Sequence, residues 1–454
     1  MTDKNKDQPQ VNKAPSYSSD KSNGKRNQSP QIYLNLNVRG LPQSATLTIN
    51  ELSASLIKNG KKVYKLGLGQ SPFPVPEEVV AALQTHAHEK DYLPVKGLPE
   101  LRAAVAGFHR RKEGINFKAE NVLIGPGSKE LMFIVQLVYY GDLVIPTPSW
   151  VSYAPQAQII GRHIRWVPTR LTNSLNLMPE DLEKLCEPDP DRPRIVILNY
   201  PNNPSGSTYT TDELKAIAKV ARKYRIILIS DEIYGEMHHK GQHVSIARFY
   251  PEGTIISSGL SKWCGAGGWR LGTFTFPESL NWLRDAMSVV ASETFTATSA
   301  PIQYAAVQAF NGSEKIEKYL ARSRKLLSAL GRYLARRLQK AGVALPEPKG
   351  GFYLYANFNS FREALNRRGI YTSDELCHQL LNDTGVAILP GSVFGSQPET
   401  LTARLAYVDF DGEKALAGVA TLPPAKVIDV EFLREYCPNV VTAVDLICDW
   451  LATK

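Results

Sequence analysis

From about residue 120, short runs of apolar and often β-branched residues alternate with stretches whose apolar positions recur at helical spacing. The runs fall at 121–124, 142–145, 163–167, 195–199, 226–230, 254–258 and 271–276, and most are apolar at nearly every position. A strand buried on one face alternates apolar and polar side chains, so continuous apolar runs predict strands covered on both faces. Between two of them, Thr210-Thr211-Asp212-Glu213 has capping-box spacing, and Leu214, Ile217, Ala218 and Ala221 continue along one helical face. Strand–helix–strand units repeated in this way predict an α/β fold, with a mainly parallel seven-stranded sheet covered by helices.

Beyond Pro301 the pattern changes to a long helical run at 313–341, strands at 352–358, 386–389 and 401–407, and a helical tail at 430–453. Residues 31–75 carry short helical and extended pieces suited to packing against this α+β region. The expected organisation is a polar tail without fixed structure (1–30), an N-terminal segment packing on the small domain (31–75), a large cofactor-binding domain (76–312) and a small C-terminal domain (313–454).

A chain of 454 residues, 43% apolar and 21% charged, has material for a large core and for more than one domain. No stretch reaches the ~18 consecutive apolar residues of a membrane helix, and the polar start lacks the apolar centre of a secretory signal, so a soluble protein is expected. Five widely spaced cysteines without CxxC spacing fit a reducing cytoplasm. The net charge of +9 (53 − 44) comes from basic residues interleaved with acids, which suits attraction of small anions better than binding of nucleic acid.

In an open parallel sheet, ligands bind beyond the carboxyl ends of the strands. The run at 121–124 leads into Gly125-Pro126-Gly127-Ser128-Lys129 and a helix, whose free N–H groups suit a phosphate. The run at 195–199 ends in Asn199-Tyr200-Pro201-Asn202-Asn203-Pro204-Ser205-Gly206, and that at 226–230 in Asp231-Glu232-Ile233-Tyr234. The run at 254–258 leads to Gly259-Leu260-Ser261-Lys262, with Arg270 eight residues after the lysine. Each piece alone reads as turn residues, a solvated carboxylate or a surface lysine. Their occurrence in this order on successive strands does not.

With these residues, and with Tyr92, Gly97 and Leu98, Pro148-Ser149-Trp150 and Ala403-Arg404-Leu405, the chain resembles the pyridoxal-phosphate enzymes of the aspartate aminotransferase superfamily, class I/II, fold type I. The resemblance runs from about Ile57 to Arg404. It implies pyridoxal 5'-phosphate as cofactor, joined through the amine of Lys262, which then moves a proton as general base and acid. It implies Asp231 against the pyridinium nitrogen, and Asn203 and Tyr234 as donors to the phenolic oxygen. Arg270 matches the phosphate-binding arginine, with Gly127, Ser128 and Lys129 as a backbone cradle, and Trp150 the aromatic stacked on the ring. Lys129 itself reads as a helix-start residue with its side chain toward solvent. Arg404 matches the clamp on the substrate α-carboxylate, with Asn203 and Gly69 beside the substrate. Tyr92 matches a tyrosine reaching the neighbouring subunit's phosphate, which implies a homodimer with shared sites.

Some positions depart from the family pattern. Gln70-Ser71-Pro72-Phe73 replaces an acidic residue followed by Pro-Asp-Phe near the substrate, and Gly259 stands where one branch has a phosphate-binding serine, which leaves Ser257, Ser258 or Ser261 to compensate. The cluster His238, His239 and His243 suggests a metal site by spacing, but Gly241 and Gln242 break any helix there and no ligand set completes it, so no metal is expected.

The implied activity is amino transfer from an L-amino acid to a 2-oxo acid by a ping-pong mechanism, with aspartate and 2-oxoglutarate the leading pair. The same residues would serve aromatic or other amino acids, or a lyase reaction on the same fold. A non-enzymatic effector-binding protein is disfavoured, because such regulators carry a folded DNA reader ahead of this region.

Overall fold

The computed structural model describes residues 33–41, 45–423 and 425–452. The expected tail at 1–30 lies outside them. Seven strands form one sheet in the order Val122–Gly125, Gly272–Thr275, Thr254–Gly259, Ile227–Asp231, Arg194–Asn199, Asp142–Thr147 and Ile164–Pro168. Gly272–Thr275 runs antiparallel to both neighbours, and the remaining pairings are parallel. This is the mainly parallel α/β sheet that the apolar runs predict.

Alternate residues of these strands feed two separate cores. Leu143, Ile145, Ile195, Ile197, Ile227 and Ile229 pack on one side with Leu131, Met132 and Leu283, whereas Val144, Val196, Leu198 and Leu228 pack on the other with Leu214, Ile217 and Ala221. Both faces need apolar side chains because helices cover both. The Thr211–Lys223 helix is capped as its sequence requires: Thr210 Oγ1 accepts from the Glu213 N–H at 3.3 Å, and the Glu213 carboxylate accepts from the Thr210 N–H at 2.6 Å.

A second, three-stranded antiparallel sheet is formed by Leu389–Pro390, Thr402–Ala406 and Tyr353–Asn357. Tyr64–Lys65 pairs in parallel with Val386–Ala387, and the Ala45–Lys58 helix sets Ile49 among Tyr355, Leu381 and Leu389. The Pro438–Ala452 helix packs against Glu314–Lys340 and Ser373–Thr384. Thus segments from before and after the large sheet meet in one layer.

Two local expectations differ from the structure. The run at 386–389 divides into two short strands in different sheets, because the chain changes partner at Ile388. The tail at 430–453 is two helices, Val430–Tyr436 and Pro438–Ala452, since the residue before a proline is pushed out of helical conformation and proline is suited to open a helix. No helix among the described residues is long and apolar enough to cross a membrane.

Leu228 is fully buried between sheet and helix. Leu228→Ala should lower the unfolding free energy by about 2–5 kcal/mol, and Thr210→Ala, which removes only a cap, by about 1 kcal/mol. Denaturant unfolding of the two variants beside wild type checks this order.

Candidate active site

The parallel strands deliver their ends to one cavity of about 510 Å³, lined by Gly69, Gln70, Ser128, Lys129, Trp150, Asn203, Asp231, Tyr234, Ser261, Lys262 and Arg270 among others. Sheet register brings its buried polar residues side by side. Asn199, Asp231 and Ser257 are successive cross-strand partners on three adjacent strands. Asn199 Nδ2 donates to the Asp231 carbonyl at 2.9 Å, and its Oδ1 accepts from the Asn203 N–H at 2.7 Å, so one amide ties two strand ends together.

The Asp231 carboxylate accepts from Tyr153 Oη at 2.5 Å and from Ser257 Oγ at 3.3 Å. No ion pair reaches it among the described residues. Burial pushes its pKa from 3.8 up to about 6, against the opposing effect of the hydrogen bonds from Tyr153, the Ile233 backbone and Ser257. Its neighbour Glu232 faces elsewhere and is bound to Ser230, Ser245 and His243. Only Asp231 of the two lines the cavity.

Lys262 follows the Thr254–Gly259 strand, and its Nζ donates to the Gly69 carbonyl at 2.7 Å, over the rings of Tyr234 (5.6 Å) and Phe352 (5.8 Å). Burial, with Arg404 and Arg270 nearby, lowers its pKa from 10.5 to about 8. Tyr234 Oη is hydrogen-bonded to Tyr353 Oη at 2.8 Å.

At the other end of the cavity, the Ser128–Val138 helix begins beside Arg270. Gly127 has a φ of +90°, and a side chain there would collide with the Arg270 guanidinium. Arg270 itself sits at φ +55°, an uncommon conformation for a residue with a side chain and one that collects at functional sites. Its guanidinium donates to the Gly267 carbonyl at 2.7 Å. Lys129 is exposed at the cavity, its amine 5.4 Å from the Trp150 ring centre, and partial burial together with Arg270 lowers its pKa. The side chain expected to face solvent therefore also lines the site.

Arg404 lies in the Thr402–Ala406 strand and is 4% exposed. It donates to Asn203 Oδ1 at 3.1 Å and to the Gly67 carbonyl at 2.5 Å, while its buried Nε has no partner among the described residues. The rings of Tyr353 and Phe394 stand 4.7 and 5.0 Å from the guanidinium carbon. Tyr92 is not brought to this cavity; it is 91% exposed.

Of the serines near Gly259, Ser261 lines the cavity and Ser257 serves Asp231. The three histidines are engaged separately: His243 with Glu232, His239 with the Gly351 carbonyl, and His238 with its own loop backbone. Asn199, Tyr153 and Tyr353 join the site without a local motif that marks them. Asn199 was detectable as a polar end of an apolar strand, level with Asp231. Tyr153 stands three residues after Trp150, at the start of a helix, but nothing local shows its reach to Asp231.

The sequence profile of the family described as "Aminotransferase class I and II" matches residues 61–409. This chain belongs to that family. The aminotransferase is 34% identical to an aspartate aminotransferase of Geobacillus stearothermophilus and 32% identical to one of Bacillus subtilis, each match covering 82% of this chain and 93% of the relative. Its fold superposes on aspartate aminotransferase from Thermus thermophilus with maleate at a TM-score of 0.78 and 25% identity, covering 92% of this chain and all of that one. It is an enzyme, a transferase acting on amino acids and 2-oxo acids, in a family that depends on pyridoxal phosphate.

The lowered pKa of Lys262 has a direct chemical consequence for this aminotransferase. Only the neutral amine is nucleophilic, so labelling of Lys262 in ligand-free protein by an acylating reagent should accelerate as pH rises and level off above about 8. Exposed lysines should continue to accelerate toward their ordinary ~10.4. Peptide mapping of labelled protein across the pH range reads the two curves.

Proposed function

We propose that this aminotransferase binds pyridoxal 5'-phosphate in the described cavity and moves the amino group of aspartate to 2-oxoglutarate, in two half-reactions at one site. The observation that carries the proposal is the convergence of a buried amine of lowered pKa, a buried carboxylate without a cation, and an arginine set against a helix start.

These groups fit the cofactor. Asp231, shut away from water with only hydroxyl and amide donors, suits a protonated ring nitrogen, since a carboxylate left so buried is costly without a positive partner. Arg270, the Ser128 helix start and Ser261 suit a phosphate dianion, and the absence of a side chain at Gly127 leaves room for the guanidinium. Trp150 offers a ring face, and Asn203 and Tyr234 offer polar groups toward the phenolic oxygen. When bound, pyridoxal phosphate supplies an aldehyde for amine exchange and a ring that accepts the electron pair released at the substrate Cα.

The chain's own residues then divide the work. Lys262 Nζ would be the base that takes the proton from the Cα of the donor amino acid in one half-reaction and the acid that gives a proton to the Cα of the product amino acid in the other, and a pKa of about 8 suits both tasks near neutrality. Arg404, buried and with an Nε that has no partner among the described residues, grips the α-carboxylate through its planar fork, held in place by Asn203 and the Gly67 carbonyl. Gly69 keeps the wall beside it open, because a side chain there would strike Tyr353.

Aspartate is favoured by the names of the relatives and by Lys129, an amine on the cavity with no ion pair among the described residues, suited to a second carboxylate. The exposed Tyr92 supports a homodimer in which it reaches the partner's site. Five cysteines, all buried and unpaired, support a reducing cytoplasm as the compartment.

Borohydride treatment of the holoenzyme should fix the cofactor on Lys262, and Lys262→Ala should abolish turnover; label on another lysine would refute the assignment. In a panel of amino donors with 2-oxoglutarate, aspartate should be used best. Fast transfer from another donor with none from aspartate would overturn the substrate but leave the fold and cofactor intact. Arg404→Ala should chiefly raise KM for amino and oxo acids alike, by the loss of a charge-assisted pair of about 1.5–3 kcal/mol. Steady-state kinetics with both substrate classes measures this.

A further inference from the structure

Tyr353 belongs to the small sheet but meets three parts of the site at once. It is 1% exposed, its hydroxyl is 2.8 Å from that of Tyr234, and its ring centre is 4.7 Å from the Arg404 guanidinium carbon. The arrangement follows from strand register. Tyr355 is the cross-strand partner of Arg404, so Tyr353, two residues away, falls on the same face as its diagonal neighbour. The same hydroxyl lies 3.5 Å from the Gly69 carbonyl, and a side chain at residue 69 would collide with it.

Either hydroxyl of the pair can donate, and the surrounding contacts favour one direction. The Gly69 carbonyl already accepts the Lys262 amine at 2.7 Å, and its distance to Tyr353 is at the limit for a hydrogen bond. The Tyr353 proton is therefore better placed on the Tyr234 oxygen, at 2.8 Å. A hydroxyl that accepts one proton has its own proton free to donate elsewhere, and Tyr234 lines the cavity.

We infer that Tyr353 is a positioning residue of this aminotransferase: its hydroxyl orients the Tyr234 proton into the cavity, and its ring holds the Arg404 guanidinium in place for the substrate carboxylate. The first half rests on the proposed cofactor reading, in which Tyr234 faces the phenolic oxygen. The second half needs only an amino-acid substrate. One side chain of the small sheet thereby sets both the cofactor side and the substrate side of the site.

The test separates hydroxyl from ring in the holoenzyme. A donor held on the phenolic oxygen draws negative charge from it and weakens the hold of the neighbouring nitrogen on its proton. Tyr353→Phe should therefore raise the pH midpoint of the cofactor's visible absorbance by several tenths of a unit and leave KM within two-fold. Tyr353→Leu, which also removes the cation–π contact, should raise KM for amino and oxo acids about 5–10-fold, with Tyr353→Phe restoring it. A tyrosine that is merely structural would lower the melting temperature without moving the midpoint. An unshifted midpoint in Tyr353→Phe overturns the hydroxyl's role, and an unchanged KM in Tyr353→Leu overturns the ring's. If Tyr353→Leu fails to fold, Tyr353→Trp, which keeps an aromatic face without the hydroxyl, replaces it and should retain a near-normal KM with the raised midpoint; a large rise in KM there would overturn the ring's role. Wild-type protein without any visible band would instead refute the cofactor reading, and with it the role of the hydroxyl.

Discussion

The site depends on a carboxylate kept out of water. Asp231 ends a strand at the middle of the sheet, flanked in register by Asn199 and Ser257, and is reached from a neighbouring helix by Tyr153. A charge in that position is expensive unless donors or a cation compensate it, and the donors present do so only in part, as its raised pKa reflects. Such a group has little structural value of its own. A positive charge brought beside it would complete the electrostatics.

The same logic governs the two cations nearby. Lys262 is held partly desolvated beside Arg404 and Arg270, so its amine deprotonates more readily than a surface lysine. Arg404 is buried among aromatic rings with a carbonyl and an amide oxygen as partners, and no carboxylate among the described residues. The protein thus keeps two like charges near an amine that is itself short of water, and leaves each with capacity for an anion. An anion bound beside either arginine would relieve that tension.

The large sheet and the small sheet each supply part of this arrangement. Asp231, Asn203 and Lys262 stand on loops and strand ends of the former, while Arg404 and Tyr353 come from strands of the latter. Their contacts, Arg404 to Asn203 and Tyr353 to Tyr234, join the two sheets at the cavity.

Much of this was legible in the chain alone. Continuous apolar runs required strands covered on both faces, the Thr210 and Glu213 spacing required a capped helix, and the polar residues closing successive strands marked the end of the sheet where chemistry belongs. Those signals are local, since burial on both faces and capping each depend on residues within a few positions of one another. The break before Pro438 was local too, and was missed because the apolar period continues across it. What only the tertiary structure decided are the contacts between residues far apart in sequence: Tyr153 on Asp231, Lys262 and Arg404 on the carbonyls of Gly69 and Gly67, and Tyr353 between Tyr234 and Arg404. A tyrosine in an apolar strand has the same local pattern whether its hydroxyl faces solvent, a core water or a catalytic partner. The packing of one sheet against the other makes that choice, and with it the proton directions and displaced pKa values on which the chemistry rests.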